Sequence, residues 1–579
     1  MKDNELAFAA ELERRGLLPK IVVALRNYDR RQAIGDFTAG LTVGLVALPL
    51  AMAFAISSGL SPQAGLYTAV VAGGLISAFG GSRTQIGGPT GAFVVIVAGI
   101  VARHGVDGLF TCTLIAGILL VAFGITGMGS AVRFIPRPIV VGFTNGIAIL
   151  IASTQIRDFF GLRVDQVPGD FMPRLQTLAA SAHTWSPTAT ALAVGSLAVT
   201  LGTNRWSRRV PGSIVALCLG TAVTAALHLD VETIGTRFGG IPSGLPALHL
   251  PRFRPDLIGG LIMPAMTVAL LGAIESLMSA MVADRMSGDR HDSNIELVAQ
   301  GLANIASPLF GGLPATGAIA RTATNIRSGA RSPMAGIIHA LTLLFILLVA
   351  APLARHIPLS VLAAILLVVA YNMGDWREIP ELLRLSKTDI TVWIATFALT
   401  VFTDLTTAVG VGMALAALLF IRRVADTTTV TVVTDDYVRE GRPHILQDKS
   451  IPPYVRIFRI HGPFLFGATD KLRPILDEVD RLPPVVVLRL RNMTALDATG
   501  LRAFEELAEA LRAAGRHLIL CGARHQPADL MKRADFHRHV GDENICPHIQ
   551  DALRRARDIQ QPVDRSSGTD SAALIEQLI

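Results

Sequence analysis

The sequence predicts an α-helical polytopic membrane protein of fourteen spans, arranged as a 7+7 inverted repeat and followed by a small cytosolic α/β domain. Three observations lead there. Hydrophobic residues make up 51% of the 579-residue chain although a long polar tail dilutes that average, and several runs are long and uncharged enough to cross a bilayer. The stretch "GGPTGAFVV", Gly87 to Val95, has a near copy in "LPATGAIAR", Leu313 to Arg321, each opening a hydrophobic segment. Beyond Arg423 the pattern changes to alternating strand-like and helix-like segments, the mark of a soluble α/β sheet.

Residues 1–35 read as a charged, basic cytosolic arm, since "ELERRGLLPK" and "RNYDRR" leave no apolar core ending in a cleavage site. Residues 36–425 read as the membrane part. Its first series of hydrophobic segments lies near 36–56, 64–79, 90–101, 106–128, 138–157, 187–202 and 210–228. The second lies near 260–283, 296–310, 316–327, 333–353, 358–372, 388–404 and 405–422. With both termini cytosolic, nearly every inner loop is basic, among them "GGSRTQ", "TNRWSRR" and "NIRSGARSP", as the positive-inside rule requires. Net charge is +7; with no interleaved basic–aromatic stripe it reflects those loops rather than a nucleic-acid surface.

The third segment of each series is short and broken by Gly and Pro. Irregular backbone at membrane depth survives only where protein or a water-filled cavity satisfies it. Paired broken segments at matching places in two halves point to a transporter's binding site. With an odd number of spans per half the second repeat is inverted, so two half-helix N-termini face each other and form an anion site. Pro89 and Pro314 suit the turn into each helix, and Thr90 and Thr316 can cap or donate. Gly91 and Gly317 let a ligand approach the backbone. Arg321, early in the second half-helix, adds a full charge that is expensive in a membrane and needs a reason. The alternative is a pair of kinks with a snorkelling arginine.

Glu275 lies deep in "LLGAIESLMSAMVADR", with Ser279 one turn away, and is a candidate for proton or sodium coupling. The alternative is a buried structural carboxyl bonded to the half-helices or to Arg321. Asp404 reads as a cap or turn residue. The four cysteines, Cys112, Cys218, Cys521 and Cys546, show no metal spacing, so no metal or cofactor is expected. With no nucleophile–base pair in view, an enzyme is not expected either.

Residues 426–453 read as a linker and the start of the α/β domain, whose body is 454–560, with 561–579 as a loose tail. Between a strand and a helix stands "LDATGL", where Asp497 and Thr499 meet a helix N-terminus. They read as a cap, or as a phosphorylation or partner-docking point.

With "DFTAGLTVGLVALPLAMAFAISSGLSPQAGLYTA", "GGSRTQIGGPTGAF", "GAIESLMSA", "GAIARTATNIRSGARSP", "HGPFLFGA" and "LDATG" in view, the chain resembles the sulfate permease (SulP, solute carrier 26) family of anion transporters with a C-terminal STAS domain. The resemblance covers about residues 30 to 560. It implies a core domain of spans 1–4 and 8–11, a gate domain of spans 5–7 and 12–14, elevator motion of core against gate, and a homodimer. It places the anion site on Phe54, Thr90, Ala320 and Arg321, the coupling carboxylate on Glu275, and the phosphorylatable STAS position on Thr499. The family's sodium-dependent bicarbonate members pair Asp with Thr where this chain has Glu275 and Ser279, and they lack an arginine at position 321, which tilts the expected coupling from sodium to protons. Sulfate is the expected cargo, with bicarbonate or a C4-dicarboxylate as alternatives, in a bacterial inner membrane. A nucleobase transporter would share the architecture, but Arg321 argues against a neutral base. A sensor signalling anion occupancy through STAS to a cytosolic protein is a further reading.

Overall fold

The computed structural model describes residues 18–561 apart from 27, 130–135, 165–166, 207–210, 242–243, 245–247, 249–256, 385, 404 and 434–450. Most of the N-terminal arm, Asp404, much of the linker and nearly all of the tail lie outside the described residues. The chain divides into two units, Met1–Ala416 and Ala417–Ile579.

In the first unit, each predicted hydrophobic segment coincides with a helix. The first half contains α1 (Arg30–Ser57), α2 (Pro62–Phe79), α3 (Gly91–Ile125), α4 (Arg137–Phe160), α5 (Pro187–Trp206) and α6 (Gly212–Ala226). The second half contains α7 (Ile258–Ser287), α8 (Ser293–Leu309), α9 (Ile319–Arg327), α10 (Met334–Ala354), α11 (Leu359–Met373), α12 (Lys387–Phe402) and α13 (Leu405–Thr427), whose last residues enter the second unit. Two predicted segments fall within α3 because its break is at Gly105, whose φ of 69° and ψ of −175° leave the helical region; glycine reaches that conformation without a Cβ clash. Among the described residues, six helices are long and apolar enough to cross a membrane, with α6 and α11 as shorter apolar ones.

The helices of this unit sort into two packing groups. In one, α8 packs on α3 and α2, α10 on α1 and α2, and α7 on α3 and α9. In the other, α4 holds α11 and α12, while α5 packs on α6 and α11. Small residues set the closest approach: a Cβ on Gly117 would lie 2.8 Å from Gly301 O, and one on Gly301 would lie 2.6 Å from Gly117 O. The start of α1, capped by the Asp29 side chain accepting from the Gln32 N–H at 2.6 Å, lies earlier than the boundary at residue 36. Asp36, nearly two turns in, is fully buried. It accepts from the Arg331 and Ser332 N–H groups at 2.7 and 3.1 Å and from the Tyr28 hydroxyl at 3.1 Å, which ties α1 to the loop after α9. Burial and the facing Asp36 carboxylate push the Tyr28 phenol up to about 12.

The second unit is built on a five-stranded sheet whose strands lie side by side in chain order; they are numbered from β3, because a two-strand ladder in the first unit, described with the site, takes the first two numbers. Strand β3 (Thr429–Val432) runs antiparallel to β4 (Val455–Phe464), so part of the predicted linker is an edge strand. Strands β4, β5 (Val485–Leu496), β6 (His517–Cys521) and β7 (Ile545–Cys546) are mutually parallel. Along β5, Val486 and Leu488 join one core with Phe464 and Phe504, while Val485 and Val487 join another with Ile457 and Ile519. That two-residue alternation, apolar on both faces, is what a parallel sheet covered on both sides requires.

Candidate functional site

Two dipeptides, distant in sequence, pair where the hydrophobic pattern breaks. Strand β1 (Gly87–Gly88) lies antiparallel to β2 (Thr316–Gly317), with Gly87 opposite Gly317 and Gly88 opposite Thr316. The Ala318 N–H donates to Ile86 O at 2.8 Å, and the Ile86 N–H donates to Thr322 Oγ1 at 3.0 Å. This miniature ladder satisfies backbone groups that would otherwise be unpaired in an apolar interior. Helix α3 starts just after β1 and α9 just after β2, so the ladder holds both helix N-termini together.

Neither N-cap residue, Thr90 or Ala318, makes a side-chain capping bond. The first-turn N–H groups of both helices therefore have no side-chain acceptor and keep their partial positive charge, although the Phe93 N–H donates to Thr90 O at 3.3 Å. The second helix begins at Ile319, three residues later than the predicted segment. Thr316 accordingly does not cap it; its hydroxyl donates to Gly272 O at 2.8 Å.

Arg321 occupies the first turn of α9 and is 3% exposed. Its NH2 group donates to Pro89 O, while NH1 has no hydrogen-bond partner among the described residues. Gly88, at φ +146°, makes room for that guanidinium, since a Cβ there would lie 2.6 Å from NH1. Two residues on, Thr90 is buried and donates its hydroxyl to Glu275 Oε2 at 2.8 Å. Pro89 and Thr90 thus link the arginine to the carboxylate. Phe54, itself buried, approaches Gly91: a Cβ on that glycine would lie 3.2 Å from the ring's Cε1, 2.8 Å from Ile151 Cδ1 and 2.7 Å from Met373 Sδ. Ala320 is exposed on the first turn of α9.

The predicted residues Phe54, Thr90, Gly91, Glu275 and Arg321 are therefore drawn together around the broken helices. Ser279 lies one turn from Glu275 on α7; its hydroxyl meets Thr322 Oγ1 at 3.1 Å, and no hydrogen bond joins it to Glu275 among the described residues. Asp497 and Thr499 belong to the second unit. Asp497 caps the helix Ala498–Ala513 (α14), accepting from the Gly500 N–H at 2.8 Å and from the Phe466 N–H at 3.0 Å. Thr499, in the first turn, is exposed.

Sequence reasoning missed the polar layer behind the site. Gln85 donates to Ser276 Oγ at 2.9 Å, and Ser276 donates to Glu296 Oε1 at 3.2 Å. Glu296, fully buried, also accepts from Gln300 Nε2 and the Gly81 N–H, both at 2.9 Å. An acid in the first turn of α8 reads in sequence as an ordinary helix-start residue, so only the fold reveals its burial. Gln85, a lone amide just before the glycine pair, was the available signal.

The chain matches the model of the Sulfate permease family over residues 34–396 and that of the STAS domain over residues 447–552. It is 40% identical to the putative sulfate transporter YvdB of Bacillus subtilis, over 90% of this chain and 98% of that one. It is 32% identical to the bicarbonate transporter BicA of Synechocystis sp., over 91% and 94%. Among solved structures, the transmembrane domain of a cyanobacterial BicA matches with a TM-score of 0.61 and 36% identity, covering 66% of this chain and 99% of that one. The structure of SLC26A9 shares the fold, with a TM-score of 0.83 at 18% identity over 97% and 96%.

Proposed function

We propose, since the chain belongs to the sulfate permease family and ends in a STAS domain, that this multi-pass membrane protein is a secondary-active transporter of a small oxyanion or carboxylate. Its anion would rest against the N-termini of α3 and α9 and the guanidinium of Arg321. The observation that carries this reading is the NH1 of a buried arginine, without a hydrogen-bond partner among the described residues, beside two helix starts that no side chain caps. A charge at the bilayer centre costs ~2.5–3.5 kcal/mol on insertion scales, and an anion held by several N–H donors offsets that cost. The same constellation disfavours a neutral nucleobase.

Sulfate is the leading cargo. Bicarbonate is the second reading, favoured by the likeness to BicA in both sequence and membrane domain. Glu275 is proposed to bind the coupling proton: it is an acid within reach of Thr90, the residue that opens the first half-helix. Protonation would remove a negative charge near the anion as the site loads. Fourteen spans with both ends cytosolic, in a bacterial inner membrane and as a homodimer, complete the proposal. The two packing groups support elevator motion, the first group carrying the ligand past the second.

The test is uptake into proteoliposomes of labelled sulfate, bicarbonate and succinate, each with an inward proton gradient, a sodium gradient, or neither. Proton-driven uptake of one anion is expected. Anion binding without flux under any gradient would instead favour a sensor acting through STAS.

A further inference from the structure

A cavity of about 960 Å³ lies between the two packing groups of the first unit. The first group contributes Thr42 from α1 and Thr324 and Arg327 from α9; the second contributes Asn204, Ser213 and Asn372 from α5, α6 and α11. Its inner end reaches Leu50 and Thr324, each one helical turn from Phe54 and Ala320 of the candidate site. The cavity thus lies within a helical turn of that site. Arg327, at the end of α9, is exposed, so the outer end meets solvent.

Its lining mixes apolar side chains such as Val46 and Ile365 with polar ones, and its charge is one-signed. Among the described residues that line it, Arg327 carries the charge and no carboxylate answers it. Arg327 also makes no ion pair with any described residue, unlike Arg83, Arg137 and Arg237, which all meet acids. Asn204 accepts the Gly212 N–H on Oδ1 at 3.1 Å, which leaves its NH2 as the free, donating end. A cleft of one sign with low-dielectric walls concentrates the opposite charge inside it.

We propose that this cavity holds a second anion site, centred on the Arg327 guanidinium with the side-chain NH2 of Asn204 as a further donor; the Thr42 and Thr324 hydroxyls donate to Thr38 O and Ala320 O, both at 2.8 Å, and only shape the wall. It captures the same class of small oxyanion or carboxylate before that ion reaches Arg321. The proposal rests on the transport reading above and adds to it a residue that sets apparent affinity from one face of the membrane. Arg321 binds; Arg327 gathers.

Two measurements on the full-length chain test it. The first is anion exchange in everted and right-side-out vesicles. Arg327→Gln is expected to raise KM roughly tenfold on one face only, with a smaller effect on maximal rate. Thr324→Asp, which neutralises the guanidinium without removing it, should do the same, and Arg327→Lys should retain most of the affinity. Unchanged KM on both faces in Arg327→Gln and Thr324→Asp would overturn the proposal. The second is equilibrium binding of labelled sulfate and bicarbonate to purified protein, which needs no flux. Arg321→Ala should keep a weak site that Arg327→Gln on that background removes; absence of any residual site overturns the inference. Failure of the wild type to transport any anion, with that weak site present, would count against the transport reading alone.

Discussion

Arg321 divides its guanidinium between Pro89 O and the space beside the two helix starts. Removing it should therefore abolish tight anion binding without unfolding the protein, because only one backbone carbonyl loses a donor. Arg321→Ala is expected to lose the high-affinity binding seen by calorimetry, keeping at most the weak site assigned to Arg327, while eluting as a monodisperse species. Arg321→Lys should bind about tenfold more weakly, since an ammonium cannot hold Pro89 O and a ligand with the same planar fork. Normal affinity in either variant would remove Arg321 from the site. Glu275 faces Thr90 with an acceptor oxygen. Glutamine keeps that acceptor but cannot carry a proton, so Glu275→Gln should retain anion exchange and lose uptake driven by a pH gradient. Unaltered pH-driven uptake would assign Glu275 to structure.

At the scale of elements, what could be read in advance followed the range of the pattern. Apolar runs and their interruptions show in sequence, so the helices and the Gly105 break fell near their predicted places. A two-residue strand has no period to read, and the β1–β2 ladder was invisible for that reason. It delays the start of α9 to Ile319 and sends the Thr316 hydroxyl to Gly272 O. Ser279 was legible as a helix-face neighbour of Glu275, but its actual partner, Thr322, comes from a different helix. In the second unit, Cys521 ends β6 in the sheet core, 2% exposed. Burial pushes its thiol up to about 12, with the Arg489 charge pulling the other way. Because the thiolate is the reactive form, iodoacetamide at pH 8 should label Cys521 at least ~100-fold more slowly than free cysteine. Peptide mass spectrometry before and after denaturation reads this, and rapid native labelling would contradict the burial.

Within the first unit, one confining seam runs between α3 of one half and α8 of the other, where Gly117 and Gly301 face each other's carbonyls. A valine at 301 would drive a branched side chain into Gly117 O and the Val121 N–H, each 2.6 Å from its Cβ. Gly301→Val should therefore lower the yield of monodisperse protein severalfold, whereas Gly99→Ala, with open space around its Cβ, should not; size-exclusion profiles in detergent separate the two. The ladder between Gly87–Gly88 and Thr316–Gly317 has a related consequence for biosynthesis. A ribosome that has delivered only the first half has released a glycine pair into the membrane with no strand to meet it. The site cannot begin to exist until the chain is translated past Gly317, so the interval between the two halves is one in which the nascent protein depends on water, lipid headgroups or an insertion chaperone to shelter that backbone.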